Sequence, residues 1–181
     1  MTTKKVLDHG LKRTIIPVFV SLLLLVLPSL SSNAMPMAKK VKLTGTWVLN
    51  ESKSDFGDYG RMWASNKLII IQKRKTLSME RFSSGPSGEE YNALENYTLD
   101  GMECENSFGD QMKKTSTVTW SEDKQSLTIN SKLDIEAEGQ QMTIDTIEIL
   151  SLQDDGNTLV IKGTAMTDFG DMVVEFIYDL Q

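Results

Sequence analysis

Two charged residues stand where the pattern around them calls for apolar ones. In "TLSMERF" (76–82), Arg81 shares a strand face with Leu77 and Met79. In "EYNALENYTL" (90–99), Glu95 shares a face with Tyr91, Ala93 and Tyr97. Successive side chains of a strand point to opposite faces, so each charge is directed to its strand's apolar side. A buried ion costs too much to stand alone and must meet an opposite charge or a polar ligand. Arg81, Glu95 and Tyr97 are therefore candidate ligand-binding residues. The plainer reading is that twist or a bulge carries both charges to the rim.

A second constellation is a repeat. "DFGD" occurs at 55–58 and 168–171, and "SFGD" at 107–110. Glycine there permits positive φ, and aspartate can bond nearby backbone amides, so the plain reading is three similar turns. The sharper reading places all three on one rim of a barrel. Three of the five phenylalanines beyond the leader sit in these copies, which makes Phe56, Phe108 and Phe169 candidate portal residues for an apolar ligand. Asp55, Asp58, Asp110, Asp168 and Asp171 would accompany them.

Other chemistry has little material. The one histidine, His9, lies in the leader, so the remaining chain has no Ser-His-Asp or Cys-His arrangement and no histidine metal site. Cys104 stands alone; it forms no internal disulfide and reads as a small buried hydrophobe. "DFG" lacks the glycine-rich loop, strand lysine and "HRD" of a kinase. "SEDK" (121–124) matches Ser-x-x-Lys by letters but falls in a hairpin turn. Glu136 and Glu138 read as a solvated strand end. "DDGN" and "DFGD" lack the spaced carboxylates of a calcium loop. No metal and no cofactor is expected.

The elements that must position these residues are strands. Lys4, Lys5, Lys12 and Arg13 precede the apolar run Ile15–Leu27, then small residues to Ala34: a secretory signal peptide over 1–34. An uncleaved anchor is the rival reading. No cysteine follows the run to carry a lipid. The leader holds four cations and one carboxylate; removing its net +3 from −6 leaves −9. So acidic a chain is repelled by nucleic acid and anionic lipid, and no membrane span is expected beyond the leader. A lead-in occupies 35–42. From 43 to 181, alternation recurs over 41–50, 67–73, 76–82, 90–99, 113–120, 126–137, 142–152, 158–166 and 172–180, with a short candidate at 102–106. Residues 51–66 read as a loop or short helical lid. Turns at even spacing predict an all-β fold, a single antiparallel up-and-down barrel of about nine or ten strands.

"GTWVLNESKSDFG" (45–57), "YTLDG" (97–101), "SLQDDGNTLVI" (151–161) and "VEFIYD" (174–179) resemble a group of exported bacterial lipocalin-like proteins. Gly45-x-Trp47 is similar to the lipocalin signature. The resemblance implies a calycin-type barrel with an internal cavity, closed at one end by the tryptophan. The function expected is non-catalytic binding of a small, mainly apolar ligand in the cell envelope, periplasmic or extracellular. The alternative is a structural or protein-interaction module whose barrel is filled by its own side chains. A histidine-free enzyme working at the barrel mouth is the third reading.

Overall fold

The computed structural model describes residues 39–85, 87–137, 139–167 and 170–181; the leader, Asp168 and Phe169 lie outside them. Ten strands follow in chain order: β1 (Gly45–Leu49), β2 (Lys67–Gln72), β3 (Thr76–Ser84), β4 (Glu90–Thr98), β5 (Cys104–Ser107), β6 (Met112–Trp120), β7 (Ser126–Ala137), β8 (Gln140–Gln153), β9 (Thr158–Thr167) and β10 (Gly170–Leu180). They form one sheet in the order β4-β3-β2-β1-β10-β9-β8-β7-β6-β5. Every strand pairs antiparallel with a chain neighbour, and β1 also pairs with β10. The short candidate strand at 102–106 is real, at Cys104–Ser107. The stretch 51–66 contains a 3-10 helix, Gly57–Trp63.

Alternation makes these strands and sets what they enclose. In β7, Leu127 and Ile129 are fully buried while Asn130 and Lys132 face solvent. The same period places Leu77 and Met79 of β3, Leu150 of β8, and Leu159 and Ile161 of β9 in one interior core. Trp47 is 1% exposed, and its indole N–H donates to the Leu43 carbonyl at 3.0 Å. Gly45 lies on the same face two residues earlier. A Cβ there would stand 2.7 Å from Leu180 Cδ1 and 3.2 Å from the Trp47 indole, so the glycine makes room for the ring.

In an up-and-down path the connections alternate between two ends. The strap at 50–66 and the turns after β3, β5, β7 and β9 share one end, called the mouth. The lead-in enters at the other. Val41 N–H donates to the Lys124 carbonyl at 2.9 Å. The Gln72 amide accepts from Leu43 N–H at 2.8 Å and donates to the Val41 carbonyl at 3.1 Å. These bonds draw the lead-in across the base, beneath Trp47.

The two edges of the sheet, β4 and β5, share no backbone ladder among the described residues. One side chain bridges them. Asn106 Oδ1 accepts from Asn96 N–H at 2.7 Å, and Asn106 Nδ2 donates to the Asn96 carbonyl at 3.2 Å. A primary amide thus copies one peptide unit of a missing strand. Unpaired edge groups invite association with other chains, so this latch completes the closure. Asn106→Ala should lower stability by about 1–2 kcal/mol, because two backbone groups lose their partner. Urea unfolding would show a lower midpoint with unchanged slope, and hydrogen exchange would be faster at the Asn96 amide.

Candidate functional site: an apolar mouth over a charged floor

Across the middle of the barrel lies a polar layer that alternation alone directs inward. Arg81 comes from β3, Glu95 and Tyr97 from β4, Lys114 from β6 and Glu148 from β8. Arg81 Nε donates to Glu95 Oε2 at 2.8 Å, and Arg81 Nη2 to both oxygens of Glu148 at 2.8 and 2.9 Å. Lys114 Nζ donates to Glu95 Oε1 at 2.8 Å and lies 3.5 Å from Glu148 Oε2. The Tyr97 hydroxyl donates to Glu95 Oε2 at 2.7 Å and accepts from Lys114 at 3.2 Å. Two cations and two anions cancel. The Glu95 side chain is 5% exposed and those of Arg81 and Glu148 17%, so the layer is shielded from water but not sealed off.

Burial and pairing pull these acidities in opposite directions. Burial alone raises the Glu95 carboxyl, but Arg81 and then Lys114 outweigh it and bring the value down to about 2. Glu148 is lowered by the same two cations against its burial. Burial would lower Arg81, yet Glu148 and Glu95 carry it well above the usual guanidinium value. Burial and then Glu95 push Tyr97 well up. Glu95, Glu148 and Arg81 are thereby held in their ionised forms near neutrality. One step toward the base, Tyr178 is fully buried, and burial raises its phenol to about 12. The Ser65 amide is near enough to weigh on that acidity but does not reach hydrogen-bond geometry with the hydroxyl.

On the mouth side most inward positions are apolar and several lose their cover, though Ile144 and Met172 stay buried. Ala93, Met112, Leu133, Ile135, Ala165 and Val174 are only half-buried, and Tyr91 and Met142 are 53% and 51% exposed. On the base side the inward positions are packed solid with Leu68, Ile70, Met79, Ile129, Leu150 and Ile161. The barrel is therefore a filled lower half, a charged floor and an open apolar cup.

The strap closes part of the cup. Asp55 forms a two-way backbone bridge with Glu175 of β10, each N–H donating to the other's carbonyl at 2.8 Å. That seats Phe56 against Phe176, ring centres 5.9 Å apart. Phe56 is thus half-buried and packed on the core rather than a free tip. Phe108 is also half-buried, in the β5–β6 turn, and its N–H donates to the Met112 carbonyl at 2.8 Å. Phe169 and Asp168 lie outside the described residues. The topology puts the described parts of the three copies at the mouth end. Their glycines, Gly57, Gly109 and Gly170, have φ of 57°, 68° and 118°, values that favour glycine. Among the described residues no group of three metal-ligating side chains converges.

The structure brings Arg81, Glu95 and Tyr97 into contact and adds Lys114 and Glu148, which sequence reasoning passed over. The signal existed. Lys114 alternates with Ser116, Val118 and Trp120, and Glu148 with Ile144, Leu150 and Leu152. Cys104 is partly buried against the core, and its thiol donates to the Ser116 carbonyl at 3.4 Å.

Removing one carboxylate would leave two buried cations facing one anion. Glu95→Gln should cost about 3 kcal/mol in urea unfolding at neutral pH. The pH dependence has a defined sign. Glu95 titrates lower in the folded chain than its ordinary 4.5. Its stabilisation is therefore complete above about pH 5 and is lost as pH falls toward 2. The stability of Glu95→Gln should fall less steeply than wild type across that window. The repeat makes a separate prediction. A Cβ on Gly57 would meet the Val173 carbonyl oxygen at 2.6 Å, whereas one on Gly109 would meet nothing within 4 Å. Gly109→Ala should cost about 1 kcal/mol from backbone conformation alone, and Gly57→Ala about twice that or more, by thermal or urea melts.

No family model matches the chain, and no curated protein does. Among solved structures it is similar to the zebrafish ileal bile acid-binding protein in complex with cholic acid. The identity is 14% and the TM-score 0.49, over 76% of this chain and 98% of that one.

Proposed function

We propose that this protein binds a small, mainly apolar molecule at the barrel mouth without transforming it. The observation that carries this reading is the ring of inward-facing apolar side chains left half-covered above the charged floor. Apolar groups directed into a barrel are normally packed, and concave apolar surface with a few polar groups beneath it is the common form of a small-molecule site. A molecule with an apolar body and a polar end suits it, its body against Leu133, Ile135 and Val174 and its polar end toward Arg81 and Lys114. The non-catalytic reading rests on the floor. Glu95 and Glu148 are held ionised by their cations, so neither is a proton donor near neutrality. Export to the cell envelope rests on the leader, and the absence of a nucleic-acid partner on the net charge of −9 beyond it.

A second reading, a structural or interaction module, is favoured by one observation: the four floor charges satisfy one another and need no ligand. The two readings part on whether the cup takes up a probe. The exported protein should enhance the fluorescence of anilinonaphthalene sulfonate saturably. Ala93→Phe and Ala165→Phe, which fill the cup from facing walls, should weaken that binding about tenfold. Native mass spectrometry of the untreated protein should show an added small-molecule mass that leaves on denaturation. Probe binding that both substitutions leave unchanged would remove the cup as the site and favour the filled module.

A further inference from the structure

The charged floor closes on itself and leaves one group over. Each oxygen of Glu95 and Glu148 already accepts from Arg81, Lys114 or Tyr97. The ammonium of Lys114 meets Glu95, the Tyr97 hydroxyl and, at 3.5 Å, Glu148. Of the guanidinium donors of Arg81, Nε turns to Glu95 and Nη2 to both oxygens of Glu148. Nη1 has no acceptor among the described residues. Nor is it sealed: the unpartnered side-chain atoms shut off from water are the Trp120 indole nitrogen and the Tyr178 hydroxyl. The base side of the layer is packed with aliphatic side chains, so the opening over Arg81 is the cup. In the β3–β4 ladder Arg81 lies opposite Ala93, a half-buried position of the cup wall. In the β8–β9 ladder Glu148 lies opposite Gly163, which has no side chain to cover it.

We propose that the ligand's inner end is an uncharged oxygen acceptor, an alcohol or carbonyl, received by Nη1 of Arg81. The proposal rests on the reading of the mouth as a small-molecule site and narrows it to neutral amphiphiles. Two properties of the floor select this class. The group left over is a donor, so the ligand must bring an acceptor. An ammonium brings only donors and would meet carboxylate oxygens that are all engaged. The charges also balance already, Arg81 and Lys114 against Glu95 and Glu148. A carboxylate would add an anion to a shielded layer that has no cation to spare, and an uncompensated charge there is costly. A neutral oxygen satisfies Nη1 and leaves the balance as it is. Anionic amphiphiles such as anilinonaphthalene sulfonate then enter rings first, with the charged group left in water at the rim.

The test uses the exported protein and the neutral fluorophore N-phenyl-1-naphthylamine, displaced at neutral pH by 1-decanol, decanoate or decylammonium. These competitors share a chain and differ in head group. Decanol should act at concentrations about tenfold lower than either ion. Apolar partition alone would also favour decanol, so two further measurements decide. Glu148→Gln, checked for folding by circular dichroism, leaves one floor cation in excess; decanoate should gain about tenfold and decanol change less than about twofold. The carbonyl stretch of carbon-13-labelled 2-undecanone, which needs no variant, should lie lower in frequency when bound to wild type than in hexane. Arg81→Lys, which keeps the charge and removes Nη1, should abolish that shift. Decanoate displacing the fluorophore as well as decanol, a folded Glu148→Gln that leaves decanoate unchanged, or an unshifted carbonyl band would each overturn this proposal and leave the mouth site standing. Failure of the fluorophore itself to bind would overturn the mouth site and this proposal with it.

Discussion

Four charges inside the barrel must cancel, and much of the structure follows from that requirement. Arg81, Glu95, Lys114 and Glu148 come from β3, β4, β6 and β8, so their bonds run across the lumen and across the seam beside β5. A buried pair adds little net stability compared with apolar packing, but a broken pair is expensive. The cluster therefore acts chiefly on register. A slip of one residue in any contributing strand would turn its charge outward and leave the others unbalanced. The ladders Met79↔Glu95 and Ile129↔Glu148 place each acid beside a hydrophobic partner on the same inner face, so only one register satisfies both apolar burial and charge.

The layer also divides the interior. Toward the base, large aliphatic side chains meet across the barrel and Trp47 seals them. Toward the mouth the same strands carry smaller or more widely spaced apolar groups, among them Ala93, Gly163 and Ala165. A Cβ at Gly163 would lie 2.9 Å from Val174 Cγ2, so the wall is close-fitting there even without a side chain. The strap covers one side, through Phe56 on Phe176 and the buried pair Ala64 and Ser65. The remaining opening is the cup.

Strands were legible because their signal is local and periodic. Every alternating run became a strand with ends shifted by a few residues, and turn glycines marked the hairpins. Arg81 and Glu95 were legible as inward charges by the same rule. Their partners were visible in the same period, but pairing joins residues up to 67 positions apart and needs the topology first. The Asn106 latch left no trace in the pattern, since nothing in "CENS" tells an amide that faces water from one that replaces a strand. The "FGD" copies teach the complementary lesson. Their shared letters report a shared positive φ, a backbone requirement rather than shared chemistry. Only the surroundings separate them: Gly57 lies under the Val173 carbonyl and Gly109 in open space.

The two ends of the barrel answer to different forces. The base carries the packed aliphatic core, Trp47 and the entry of the chain; the mouth carries uncovered apolar surface. Strands such as β7 and β8, of 12 and 14 residues, hold the two ends farther apart than the distance over which salt screens charge. Charges at the base therefore contribute little to the field in the cup, where Arg81 and Lys114 are the relevant cations and Glu95 and Glu148 neutralise them. Under the proposed reading, discrimination in the cup comes from shape and apolar contact, because the floor charges already satisfy one another.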